Sequence, residues 1–544
     1  MPSLPRTEVL IIGAGLAGLV TALECLRAGR RVTLLDRDTP ERLGGLARWA
    51  FGGMCLVDTP LQRRKRIPDS PERALQDWLR FGALDASEVW PRRWAEHYVQ
   101  RSTPEVYEWL LGHGLRFLPA VNWVERGLYG EGNSLPRYHV LWGTAAHLTQ
   151  TVIAALQQQA SRRGADRLLL RHQHRVTELT RHAGRVNGAI ALDEASGVEQ
   201  LFEADQVVVA TGGINGSLEQ VRRHWPEGAT GAAAPTELLN GAHPYADGAL
   251  HERVQALGGQ VTHADRMWNY AAGVPHPQPH FEGHGLSLIP CKSALWLDSN
   301  GRRIGPQALV TGFDTHALCQ QVAAQARGYT WQLLNWRIAA KELAISGAEH
   351  NLHIRERNWL AFLRETLLGN HRLVRQMLAQ SPHFIAADTL PELEQRMNAL
   401  AGNQDLAPGT LQATVAAFDQ QFSAGLAHCN DDQIRRILHA RLWGPDRLRT
   451  CAPAPLSQRG AGPYIAIQVR LISRKSLGGL QTDLHSRVLD PHGQPLPGLY
   501  AVGEAAGFGG GGVCGKRSLE GTFLPACILT ARAAARHLNQ GDPP

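Results

Sequence analysis

The chain predicts an α/β fold, and three observations predict it. Residues 9–12, Val-Leu-Ile-Ile, form an apolar run suited to a strand buried on both faces, and they lead into Gly13, Gly15 and Gly18 of a Gly-x-Gly-x-x-Gly turn. A second apolar strand, residues 31–35, ends in Asp36, twenty-three positions after Gly13. A third, residues 206–210, stops in Thr211, Gly212 and Gly213, and similar texture returns at residues 498–504 after a long, mostly helical interval. Strand, glycine turn, helix, strand and acid in that order make a Rossmann-type unit. Its pieces at both ends of the chain make that domain discontinuous, with a mainly helical α+β cap inserted between them.

Each element has its reason. Gly13 allows the tight turn, Gly15 lets a pyrophosphate approach the backbone, and Gly18 lets the helix pack on the strand. Ala14, Leu16 and Ala17 lie between and beside these glycines, where free amides and the positive end of the helix dipole bind phosphate. Asp36, with Arg37 beside it, is placed to accept hydrogen bonds from a ribose. The stretch 43–54 is glycine-rich, and Gly44, Gly45, Gly52 and Gly53 border a pyrophosphate and a flat ring. Helical periodicity covers about 71–112 and 144–164. A strand meander follows at 167–170, 175–181 (with Val176 as a cofactor contact) and 185–192, with turns at Gly184 and Gly197. Ala210, Thr211 and Gly212 end the next strand in small residues, so its backbone edge can meet a flat ligand.

From residue 269 the texture changes: Pro275, Pro277 and Pro279 punctuate a loop, and helical segments follow near 315–345, 355–380, 389–402 and 408–425. No nucleotide signature occurs there, and residues 269–455 are read as the cap. Strands return at 464–471 and 498–504, and a helix over about 521–538 closes the chain. The domains are therefore 1–268 and 456–544 for the nucleotide, and 269–455 for the cap.

Composition bounds the function. With 544 residues, 43% hydrophobic and 19% charged, the chain is an ordinary globular protein of two large domains. No apolar run approaches the roughly 20 residues that cross a bilayer. The first strand begins too early to leave room for a signal peptide, so a cytoplasmic location is the expectation. The net charge of +7 does not imply nucleic acid: lysine occupies only positions 65, 292, 341, 475 and 516, and the arginines are scattered among acids. The run at 63–66 is read as a solvated loop. The 8 cysteines contain no Cys-x-x-Cys, which argues against structural zinc, a redox pair or an attached haem. His276, His280 and His284 are spaced by four across a proline-rich loop that fixes no helical face, and no metal is expected there.

Three features favour flavin over nicotinamide: the glycine-rich stretch at 43–53, the strand end at 210–213, and Gly503 with Glu504 ending the strand at 498–504. With these residues in place, the chain resembles the FAD-dependent oxidoreductases related to the succinate dehydrogenase and fumarate reductase flavoprotein. That superfamily also contains the 3-ketosteroid Δ1-dehydrogenases. The resemblance covers roughly 1–270 and 456–544 and is similar above all to a subgroup described only as FAD-binding dehydrogenases. It shows in residues 132–139, 311–315, 329–331, 474–479 and 509–521. The resemblance implies FAD extended across the Rossmann domain, with Gly13, Gly15, Gly18 and Asp36 at its ADP part and Ala210 and Gly212 along it. Glu504 would hold the ribityl or ribose end, with Gly503, Gly521 and Thr522 beside it.

Departures from the family pattern shape the chemistry. Covalent relatives link flavin to a histidine whose position here is Leu46, which implies noncovalent FAD. Fumarate reductases deliver a proton from an arginine that precedes an aspartate, and here Phe313 precedes Asp314. Their histidine near the C-terminal Gly-Gly is replaced by Lys475. Ketosteroid dehydrogenases polarise a 3-keto group with a tyrosine and the amide of a glycine four residues later; those positions hold Arg517 and Gly521. Lys475, Lys516 and Arg517 would gather near the ring. Tyr270 and Tyr329 are candidate bases if nearby cations lower their phenol pKa, against packed aromatics as the alternative. His139 is either a substrate ligand or a hydrogen-bonded structural histidine.

These readings lead to an FAD-dependent dehydrogenase that introduces a C=C bond next to a carbonyl or carboxyl group of a small molecule, on a substrate of ketosteroid type. The alternatives are a soluble ene reductase of fumarate-reductase type and a flavoprotein that only carries electrons. The electron acceptor would be external: a quinone, oxygen or a redox protein.

Overall fold

Strands apolar on both faces pair side by side, and here they build a parallel ladder around the first of them. The computed structural model describes residues 6–128, 131–226, 233–507, 517 and 519–540. The Thr7–Ile12 strand pairs in parallel with Val32–Leu35 on one side and with Val198–Val209 on the other. Leu168–Arg171 extends the sheet beyond Val32–Leu35, and Pro495–Ala501 joins beyond Val198–Val209, also in parallel. The chain leaves Thr7–Ile12 toward Val32–Leu35, while Val198–Val209 lies on the opposite flank. The crevice beyond the carboxyl ends of these strands is therefore a topological switch point. Gly13 and Ala210 sit there, tied by Gly13 N to Leu35 O at 2.7 Å and Ala210 N to Ile12 O at 2.8 Å.

The Leu16–Arg27 helix is buried almost all round and packs against Thr144–Arg163 and Phe523–Gln540, so a C-terminal helix completes an N-terminal core. The expected meander is present as His174–His182, Arg185–Asp193 and Val198–Val209 in antiparallel pairing; its last strand continues into the parallel sheet.

A second sheet is organised around Tyr464–Ser476, a 13-residue strand. It pairs antiparallel with Met267–Pro275, Thr330–Asn335 and Phe384–Ala387. Gly285–Ile289 flanks Met267–Pro275, and Leu295–Leu297 flanks Thr330–Asn335. The whole is a mixed α/β fold. Tyr464–Ser476, within the 456–544 segment, has all its ladder partners in the second sheet. One reading needs correction. Thr330–Asn335 lies inside a stretch read as helix, but it is a strand with every side chain buried. A short apolar run of that kind has no period that separates the two. Helices Thr315–Ala323, Trp336–Glu342, Trp359–Leu368, His371–Gln380, Leu390–Ala401 and Thr410–Asp419 fill the other helical segments. Among the described residues no helix is long and apolar enough to cross a membrane.

Candidate active site

The glycine turn is shaped by backbone contacts. Gly13 has φ +104°, and a Cβ there would stand 2.5 Å from Ala210 O. A Cβ on Gly18 would stand 1.9 Å from Gly13 O, so the helix touches the turn directly. Gly15 caps the helix with no side-chain hydrogen bond, and the first helical turn carries no acid. Its Cβ direction is open, with nothing within 4 Å. Uncapped amides facing open space are what an anionic ligand requires.

That space is a cavity of about 410 Å³. Gly13, Gly15, Leu16 and Ala17 line one side, with Asp36 and Arg37 at one end. Gly44 and Gly45 form another wall, and Leu46 is beside them. Val176, Ala210, Thr211 and Gly212 line it as expected, and it reaches Glu504. A glycine-walled cleft with an acid at one end and uncapped helix amides beside it fits an extended dinucleotide. Asp36 does more than was expected of it: it already accepts hydrogen bonds from the backbone amides of Ala14 and Asp38. It therefore holds the turn in shape as well as facing the cavity, and burial raises its pKa against those two hydrogen bonds.

Other expected contacts lie outside this wall. Ala14 and Gly18 act through the turn itself. Gly52 packs on the start of the Thr144–Arg163 helix, and Gly53 packs on the Tyr138 ring. Gly503 abuts Ala17 and donates its amide to Thr530 Oγ1 at 2.9 Å, and Thr522 Oγ1 donates to Leu519 O at 3.0 Å.

Glu504 links the cavity to a second cluster. It accepts the amide of Ser476 at 2.8 Å, and burial pushes its carboxyl up to about 7 against that hydrogen bond and the charges of Lys475 and Arg474. An acid raised in the folded state stabilises most below its unfolded value and loses that contribution as pH climbs through the folded one. The apoprotein should thus lose stability between about pH 4.5 and 7, and Glu504→Gln should flatten this part of a denaturation-versus-pH curve. An unchanged slope would contradict the burial assigned to this carboxyl.

Beyond Glu504, Lys475 Nζ lies 4.1 Å from the Phe523 ring centre and 5.6 Å from that of Tyr270. Tyr270 donates its hydroxyl to Glu520 Oε2 at 2.9 Å, and Trp268 Nε1 donates to the same oxygen at 3.0 Å. Gly521 follows at φ +95°, with Tyr138 against it. Burial, then the charge of Glu520, holds the Tyr270 phenol well above its ordinary pKa, with Arg474 pulling weakly the other way. The expectation of a cation-acidified phenolate base is overturned. Tyr270 keeps its proton and shares it in a hydrogen bond to the Glu520 carboxyl group.

The remaining candidates go elsewhere. Tyr329 accepts a hydrogen bond from Asn403 at 2.9 Å and packs edge-on to Trp331 in the core of the second sheet. His139 is buried between Thr59 Oγ1 at 2.9 Å and Arg137 O at 2.8 Å, and burial lowers its pKa to about 4: it is a structural histidine. Arg137 makes a buried ion cluster with Asp69 and Asp77. Arg517 pairs with Asp314 and lies 4.5 Å over the Phe81 ring, while Lys516 lies outside the described residues. Phe313, buried among apolar side chains, precedes an Asp314 that caps the Thr315–Ala323 helix. Contrary to the spacing argument, His276, His280 and His284 converge, with ligand atoms within 4.8 Å of one another.

Several site residues had no local signal. No motif or spacing in the sequence marks Glu520, Trp268 or Tyr138 as site residues. Tyr245, in the cavity wall with Arg37 4.3 Å from its ring centre, comes from a loop without regular structure. Glu125, buried against Thr315, is pushed up to about 8 by burial.

The chain is similar to known proteins. The FAD binding domain family matches residues 8–524. A KsdD-like steroid dehydrogenase of Mycobacterium tuberculosis is 40% identical over 97% of this chain and 95% of its own length. A 3-ketosteroid delta1-dehydrogenase from Sterolibacterium denitrificans, solved with 1,4-androstadiene-3,17-dione, has a TM-score of 0.70 at 16% identity, covering 99% of this chain and 100% of that one. A 3-ketosteroid-delta4-(5alpha)-dehydrogenase from Rhodococcus jostii RHA1, solved with 4-androstene-3,17-dione, has a TM-score of 0.64 at 21% identity, covering 99% and 98%. The chain belongs to the FAD binding domain family of FAD-dependent oxidoreductases, with FAD as its cofactor.

Proposed function

We propose that this enzyme desaturates a carbon–carbon bond next to a carbonyl or carboxyl group, on a substrate of 3-ketosteroid type. The observation that carries the reading is the Glu520 carboxylate, held by Tyr270 and Trp268, with Lys475 5.6 Å from the Tyr270 ring and its charge acting on Glu504, which lines the cavity. The steroid dehydrogenase relative, similar along nearly the whole chain, supports the substrate class.

The roles follow from the hydrogen bonds. Glu520, held by hydrogen bonds from Tyr270 and Trp268, takes the proton from the activated carbon and becomes a carboxylic acid, while Tyr270 keeps its own proton. Bound FAD supplies the two-electron acceptor that takes hydride from the adjacent carbon. The Gly521 amide and the Lys475 ammonium stabilise the enolate-like charge that develops. The apolar faces of Phe523, Trp268 and Tyr138 exclude water from this end.

In this reading residues 1–268 and the C-terminal segment hold FAD without a covalent link, since Leu46 offers no nucleophile. Residues 269–455, with the Tyr464–Ser476 strand added to them, cap the substrate. Electrons then pass to an external quinone, oxygen or redox protein. Phe313 carries no proton and Asp314 is engaged with Arg517, which argues against the reverse, ene-reducing direction.

The test is anaerobic mixing of oxidised enzyme with 3-ketosteroids and smaller activated carbonyl compounds. Bleaching of the flavin is the expected result. Reduced enzyme that is reoxidised by enoates, with no compound bleaching the oxidised form, would reverse the assigned direction.

A further inference from the structure

A recess outside the cavity is lined by five side chains that ligate metals well and that the proposed chemistry does not use. The ligand atoms of His276, His280 and His284 lie within 4.8 Å of one another, and so do those of His276, Glu349 and His350. His276 thus belongs to both sets. The Glu349 carboxylate is 3.5 Å from His280 Nε2 and 3.9 Å from His276 Nε2. Both ring nitrogens of His350 are buried without a hydrogen-bond partner, an uncompensated cost that a bound cation would relieve.

We propose that His276, His280, His284, Glu349 and His350 form a site for a divalent transition-metal ion of the zinc type, which ties the 275–285 loop to residues 349–350. Imidazole nitrogens with one carboxylate are the donor set such borderline ions prefer. His276 and His284 accept amides of Gln278 and His280 at Nδ1. Ligation through Nε2 moves the ring proton to Nδ1, so these two exposed hydrogen bonds are exchanged for metal bonds. Arg474, which also lines the recess, donates Nη1 to Gly241 O at 2.7 Å.

The site has a physical route to the flavin side. Trp49, at the end of the Gly45–Trp49 turn, stacks on His280 at 5.5 Å and on His243 at 5.6 Å. Its carbonyl accepts the Ala348 amide at 2.8 Å, next to Glu349. Fixing these loops would therefore brace the turn whose glycines wall the cofactor cavity.

The experiment uses the untagged, FAD-loaded full chain, stripped with a chelator and then titrated with Zn²⁺ alone against a chromophoric competitor. The expected result is one equivalent held per chain and a rise in melting temperature with the ion. His276→Ala and His284→Ala should abolish both effects while the flavin spectrum is retained. Absence of stoichiometric uptake by the unmodified chain overturns the proposal, and so does an equivalent that both variants keep.

Discussion

Gly18→Ala and Gly15→Ala are both expected to lose FAD, for different reasons that separate in the apoprotein. At Gly18 the new Cβ meets Gly13 O at 1.9 Å and Gly13 C at 3.1 Å, backbone atoms that have no flexible end to swing aside. The Leu16–Arg27 helix must back away from the turn, and overpacking of this kind costs about 1–3 kcal/mol. The part of that cost felt only when FAD is bound lowers cofactor affinity, at about 1.4 kcal/mol per tenfold. The apoprotein should also melt earlier, because the helix belongs to its main core. At Gly15 the backbone is extended, with φ −68° and ψ 177°, and nothing stands within 4 Å of a Cβ. Gly15→Ala should therefore leave apoprotein stability unchanged while its methyl blocks the approach of the pyrophosphate. Equal loss of apoprotein stability in the two variants, or normal flavin content in Gly15→Ala, would contradict this account of the turn.

Glu520→Gln is expected to slow flavin reduction by substrate about 10²- to 10⁴-fold, the usual contribution of a positioned general base. The amide keeps the shape and can still accept from Tyr270 and Trp268, so flavin content and melting temperature should be retained. Tyr270→Phe removes the hydroxyl that donates to Glu520 at 2.9 Å and should slow the same step by about tenfold, near the 1–1.5 kcal/mol of one hydrogen bond. Stopped-flow absorbance under anaerobic conditions reads both. Unchanged reduction rates in Glu520→Gln, with flavin bound, would remove this carboxylate from the chemistry.

The nucleotide half was legible because its device is local. Gly13, Gly15, Gly18 and Asp36 lie within one strand-turn-helix-strand unit, and spacing along the chain is spacing in space. The substrate half was not, because its partners meet only through tertiary pairing. Tyr270 and Glu520 are 250 positions apart, and no pattern in either segment announces the other. Tyr270 and Tyr329 looked alike in sequence, as two phenols of the segment read as the cap. Register distinguishes them: Trp268 and Tyr270 pair with Lys475 and Ile472, next to the flavin-side cluster, whereas Tyr329 meets Asn403. His139 was open in sequence between substrate ligand and structural histidine, and the structure buries it against Thr59 beside the Arg137 cluster with Asp69 and Asp77. The histidines at 276, 280 and 284 show the reverse. Helical spacing was the wrong test for a loop, since a β-connection folds back on itself and converges ring atoms that no single face would hold.

The central claim is that substrate itself reduces the bound FAD by giving up hydrogen from two adjacent carbons. Product analysis after one anaerobic turnover of oxidised enzyme with a saturated 3-ketosteroid tests it most directly. The account predicts one equivalent of a product carrying one new C=C bond conjugated with the ketone for each flavin reduced. Flavin reduction without that product, or recovery of the steroid unchanged beside a fully oxidised flavin across the 3-ketosteroid series, would contradict it.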